Sequence, residues 1–121
     1  MRFILKATDM AYDERLAGRI REELVHLAQV EEKAMFGGLA FMVNGKMCVG
    51  IIKDDLMCRV APELEMELLE KQGARQMDFT GRPMKGYIMV DETGMKTKKE
   101  LGFWVQLCLD FNDRAKASKK K

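Results

Sequence analysis

Leu16, Ile20, Leu24 and Leu27 recur at spacings of four, four and three within residues 10–29, and charged residues fill most of the opposite face. That period predicts an amphipathic helix with one stripe turned to a core. From residue 35 to 60 the texture changes to short apolar runs separated by turn residues: Leu39 to Val43, Asn44-Gly45, Lys46 to Ile52, Lys53-Asp54-Asp55, Leu56 to Val60. These runs predict a three-stranded antiparallel meander. Asn-Gly is its strongest signal, because a type I′ turn needs positive φ at both central residues, which Asn tolerates and Gly adopts freely. Gly37-Gly38, just upstream, marks a bulge or the close approach of another segment.

Pro62 suits a first helical turn, Leu64, Leu68 and Leu69 give it a short stripe, and Gly73 ends it. Gln76 to Thr80 and Tyr87 to Asp91 read as a second hairpin around Gly81 to Gly86. A last helix begins near Thr97, where Thr97 and Glu100 form a Thr-x-x-Glu capping box. Its core face is Leu101, Trp104, Val105, Cys108 and Phe111. The order α-β-β-β-α-β-β-α fits one α+β domain.

Turn geometry sets which meander residues share a face. Pairing Val43 with Lys46, and Ile52 with Leu56, places Leu39, Phe41, Val43, Cys48, Gly50, Ile52, Leu56, Cys58 and Val60 together. Ala40, Met42, Met47, Val49, Ile51, Met57 and Arg59 then form the other face. Both faces are apolar, and the two long helices are needed over the first. Met42, Met47, Val49, Ile51 and Met57 are therefore the candidate partner interface, most economically with a second copy of the chain in a homodimer.

Several blocks carry a family likeness: Met35-Phe36-Gly37-Gly38-Leu39-Ala40-Phe41, Asn44-Gly45-Lys46-Met47, Arg59-Val60, and Asp78-Phe79 through Gly86-Tyr87. From about Met10 to Asn112 the chain resembles the TfoX N-terminal domain family, named for a bacterial regulator of natural competence. The resemblance implies a two-layer α+β fold in which an antiparallel sheet packs on helices, in agreement with the order above, and a regulatory or unassigned role, since no catalytic residue set defines the family. It divides the chain into an N-terminal extension over 1–9, the domain over 10–115 and a basic tail over 116–121.

Composition narrows the field. A chain of 121 residues, 47% apolar, is about one domain and needs no disulfide or metal as a staple. Its longest apolar run, 39–52, is broken by Asn44-Gly45-Lys46, short of the roughly 20 residues that span a bilayer. Phe3, Ile4 and Leu5 are too few for a secretory signal, so the expected location is cytoplasmic. The net charge of +2 conceals an asymmetry, because Arg114, Lys116, Lys119, Lys120 and Lys121 cluster at one end. The remainder holds 16 basic and 19 acidic side chains, so nucleic-acid contact is expected only as nonspecific binding by the lysine tail.

The chemistry-bearing residues are sparse. Cys48, Cys58 and Cys108 form no Cys-x-x-Cys pair and read as reduced, partly buried thiols. His26 lies beside its helix stripe and reads as a surface residue, and the lone serine, Ser118, falls in the tail. No phosphate loop, His-Glu-x-x-His helix or Gly-x-Ser-x-Gly elbow occurs. The expectation is no catalytic residue, no metal and no cofactor. Arg59, Arg82, Lys85 and Tyr87 are candidate anion-binding residues, because the Arg82 to Tyr87 segment brings two cations and a phenol to a glycine-bounded turn. Methionine makes up 11 residues, and flexible thioethers either fill irregular cores or form adaptable contact surfaces. The reading is a non-enzymatic regulatory or protein-interaction domain, with a small-molecule or anion-binding sensor as the alternative.

Overall fold

The computed structural model describes residues 12–35, 37–79 and 81–115. Helix α1 (Glu14–Leu24) leads into strands β1 (Val30–Met35), β2 (Gly38–Val43), β3 (Lys46–Ile52) and β4 (Asp55–Arg59). A 3-10 turn at Pro62–Leu64 runs into the single-turn helix α2 (Glu65–Leu68). Strands β5 (Ala74–Phe79) and β6 (Arg82–Val90) follow, then a second 3-10 turn and helix α3 (Lys98–Asn112). The strands form one antiparallel sheet in the order β1-β2-β3-β4-β6-β5.

Local chemistry sets the element ends. The Asp13 carboxylate caps α1 by accepting from the Arg15 and Leu16 amides at 2.9 and 3.4 Å. Helix α1 buries Leu16, Ala17, Ile20 and Leu24 and stops there; Leu27 follows outside it but still packs on the core. The expected start at residue 10 lies outside the described residues. Both halves of the Thr97–Glu100 capping box are formed, and α3 buries Leu101, Trp104, Val105 and Cys108. Asn44 and Gly45 have φ of 55° and 79°, the two left-handed residues that a type I′ turn requires.

One strand is additional to the expected order. The segment Val30–Met35 pairs with β2 as an edge strand, and its four central residues are solvent-exposed, so it carries no apolar alternation to announce it. Helix α2 is also shorter than the expected three turns.

The register of β3 corrects the two-face assignment. Phe41 pairs with Val49 while Met42 pairs with Met47, so Cys48 is an extra residue in a bulge. The next turn holds two residues, not three: Ile52 pairs with Asp55, and Lys53 takes a φ of 59°. Each change shifts the strand phase by one. Val49 and Ile51 therefore lie beneath the helices, and Gly50 and Ile52 turn to the other face. In β4 the two shifts cancel, so Leu56, Cys58 and Met57 occupy the expected faces.

Two layers of apolar contact result. Phe41, Ile51, Leu56, Ile88, Trp104 and Leu101 centre the layer between sheet and helices. The opposite face gathers Ala40, Met42, Met47, Met57, Met77 and Met89, flanked by half-buried Met35, Ile52, Met84 and Tyr87. All of these are strand residues, and the five inner methionines are just 1–5% exposed within one chain. This overturns the argument that a second copy must shield them. Bulges contribute by adding twist: besides Cys48, β6 takes four residues, Met84 to Tyr87, to pass Met77 of β5. Gly38 has the predicted close approach, since a Cβ there would stand 2.0 Å from the Ile51 carbonyl oxygen.

Candidate functional site

Of the four candidate anion-binding residues, the fold unites two. Arg59 and Tyr87 are cross-strand partners in β4 and β6. The Arg59 guanidinium stands 5.8 Å from the centre of the Tyr87 ring and 5.9 Å from that of Phe111, and its Nη1 donates to the Met47 carbonyl at 3.2 Å. The group thus clamps the end of α3 to the sheet. Arg114 extends the arrangement, its guanidinium lying 5.3 Å from the centre of the Phe111 ring while donating to Glu63 at 2.6 and 3.2 Å. That bond holds the exposed Glu63 carboxyl below the usual carboxylate range. Lys85 lines a separate groove of about 530 Å³ with Pro62, Glu63, Glu65, Met66, Leu69, Gln76 and Pro83, away from Arg59 and Tyr87. The Arg82 side chain lies outside the described residues.

At the base of that groove is a buried carboxylate that the sequence does not single out from its neighbours Glu63 and Glu67. Glu65 accepts from the Gly86 amide at 3.0 Å and from Gln76 Nε2 at 2.7 Å. Both oxygens are thereby satisfied, and α2 is tied to the β5–β6 hairpin at the left-handed Gly86, whose φ is 85°.

All three thiols are free and buried. Burial raises Cys48 and Cys108 well above the ordinary thiol range, and mutual proximity adds to it: Cys108 lies near Cys48 and in hydrogen-bond contact with Cys58. Thiolate, the nucleophilic form, is correspondingly scarce. Among the described residues no group of three His, Cys, Asp or Glu side chains is placed to hold a metal ion. His26 is exposed.

Of the candidate interface residues, Met42, Met47 and Met57 belong to the closed methionine layer, whereas Val49 and Ile51 lie under the helices. The lysine tail, residues 116–121, lies outside the described residues. No helix among those described is long and apolar enough to cross a membrane.

Two open clefts lie near the start of α3. One, of about 450 Å³, is walled by Asp13, Arg15, Arg19, Asp54, Glu92 and Lys96, with Arg19 tied to the Met95 and Thr97 carbonyls at 2.8 and 3.3 Å. Its charges balance. The other, of about 490 Å³, is lined by Lys71, Gln72, Gly94, Thr97, Lys99, Glu100, Phe103 and Trp104. Phe103 meets Trp104 edge-on, with ring centres 5.4 Å apart, and Lys71 Nζ lies 4.7 Å from the Phe103 ring centre. Sequence spacing alone does not bring residues 71–72 to this helix. The contact is made by Gly94, where a Cβ would stand 2.3 Å from the Gln72 carbonyl oxygen.

One twisted antiparallel sheet, with its long helices on one face and its buried polar groups holding turns and caps, defines a small α+β domain of the two-layer class. The family model for the TfoX N-terminal domain matches residues 22–112, from within α1 to the end of α3, and the chain belongs to that family. No curated protein and no solved structure matches it.

Proposed function

We propose that this is a non-enzymatic regulatory domain that works by binding another protein. The observation that carries the reading is how the ionisable groups are used. Glu65 holds a hairpin, Asp91 caps a 3-10 turn through the Thr93 amide at 2.9 Å, and Arg59 clamps α3, while the thiols are sealed under it. Catalytic sites instead gather perturbed groups in an accessible cleft. Membership of the TfoX N-terminal domain family supports a regulatory role of the competence-regulator type. Three free, buried thiols suit the reducing cytoplasm, the location proposed here.

The test is to recover a partner on the immobilised domain from the native cell, purify it separately and titrate the two by calorimetry. A saturable complex with Kd below ~10 μM supports the reading. Failure of every recovered protein to bind the purified domain counts against it. The anion-sensor alternative is tested in parallel with nucleotides and acidic metabolites, since a ligand specific for the native state raises the melting temperature. Arg59, one of its candidate cations, is already engaged by a carbonyl and two rings.

A further inference from the structure

We infer that the groove at the start of α3 is a docking site for an acidic segment of a partner protein, anchored by one apolar side chain. The inference rests on the protein-binding reading above and gives it a surface.

The groove joins an apolar floor to a cationic rim. Trp104 is 2% exposed beneath it, whereas Phe103 is 41% exposed, one of three large apolar side chains on the surface of the described residues. Gly94 lets the Lys71-Gln72 turn pack directly on its backbone, and Gln72 Nε2 donates to Thr93 Oγ1 at 3.1 Å, which fixes that wall. The groove is open rather than enclosed, which suits a chain segment with a projecting side chain more than a sequestered small ligand.

Charge selects the kind of segment. Lys71 and Lys99 stand on the rim, and among the described residues neither is in an ion pair; Lys98, alongside, is paired with Glu23 at 3.4 Å. Glu100, the one acidic residue of the lining, is occupied by the Thr97 amide at 3.2 Å in the capping box. The partial positive charge of the helix start adds to the two lysines. An Asp- or Glu-flanked Phe or Leu meets both requirements: its ring or branch packs on Phe103 and its carboxylates face the lysines.

Trp104 is the chain's single tryptophan, so its fluorescence reads this groove directly. The probes are short capped peptides carrying one Phe or Leu between Asp and Glu residues, with Lys-flanked and Ala-centred versions as controls. Saturable change is expected with the acidic apolar peptides, weakening with salt, and absent with both controls. The Lys71→Gln/Lys99→Gln double variant and Phe103→Ala should each weaken binding at least about tenfold. The glutamines replace exposed lysines, and unchanged melting of that variant verifies the fold. No saturable change with any acidic peptide, or undiminished affinity in the double variant, overturns the inference. A partner recovered as described above that binds the double variant as well as the wild type also overturns it, while leaving the protein-binding reading intact.

Discussion

The bulge at Cys48 makes two adjacent isoleucines a direct test of the fold. Ile51 is fully buried under the helices and Ile52 is half-buried at the margin of the methionine layer. Without the bulge their places would exchange. Ile51→Ala removes three carbon groups, each contributing about 0.8 kcal/mol of burial, and leaves a cavity that packed neighbours fill only in part. The sum is about 3–4 kcal/mol, within the usual range for such a truncation and a large share of a domain's stability of roughly 5–15 kcal/mol. Ile52→Ala loses the same atoms from a site that solvent already reaches, so about 1 kcal/mol is expected. Urea unfolding followed by Trp104 fluorescence and by far-ultraviolet circular dichroism measures both. The melting point should fall about 12–16 °C for the first variant and about 4 °C for the second, at roughly 4 °C per kcal/mol. If Ile52→Ala proves the costlier change, β3 runs straight and the two-layer assignment of its residues is wrong.

Three further outcomes are expected. Glu65→Ala leaves the Gly86 amide and the Gln76 amide group without their acceptor and should cost about 2–3 kcal/mol in urea unfolding, whereas Glu65→Gln, retaining one oxygen, should cost less. Ellman's reagent at pH 8 should release no rapid equivalent from the native protein and three from the unfolded chain, because all three thiols are buried out of the reagent's reach; one fast native equivalent would refute this. Arg21 donates to Glu32 at 2.7 and 2.8 Å and holds that carboxyl below its ordinary value, so the pair stabilises the fold above the unfolded carboxylate pKa and ceases to do so as pH falls through the lower folded one. The pair is exposed, so Arg21→Gln should lose less than about 1 kcal/mol at neutral pH, a difference that disappears in acid; one that persisted unchanged would contradict the assignment.

Features set by short-range chemistry were legible in the sequence. Asn44-Gly45, the Thr97–Glu100 box and the leucine stripe of α1 each act through neighbouring residues, and each formed as read except that the helix ends at Leu24, before Leu27. Val30–Met35 was not legible, because an edge strand with solvent around its central residues has no reason to alternate. The bulge was hidden for a different reason: Lys46 to Ile52 is apolar on both sides, so no pattern reveals a slip of one. Among site residues, Arg59 and Tyr87 meet because β4 and β6 are neighbours, a pairing that the second hairpin made accessible. The groove at α3 could not be read, since it depends on Gln72 and Gly94 touching through a contact that neither residue's surroundings signal.

The paired irregularities of β3 also constrain how relatives may differ in length. The extra residue at Cys48 is absorbed within its own bulge, since Phe41 still faces Val49 and Ile52 still faces Asp55 across the two-residue turn. A relative lacking a residue at the position of Cys48 would therefore lose the bulge and its added twist while every later strand kept its side chains in the same layers. Sequence comparison within the family should accordingly allow a one-residue gap at Cys48 while the turn at Lys53-Asp54 keeps its length.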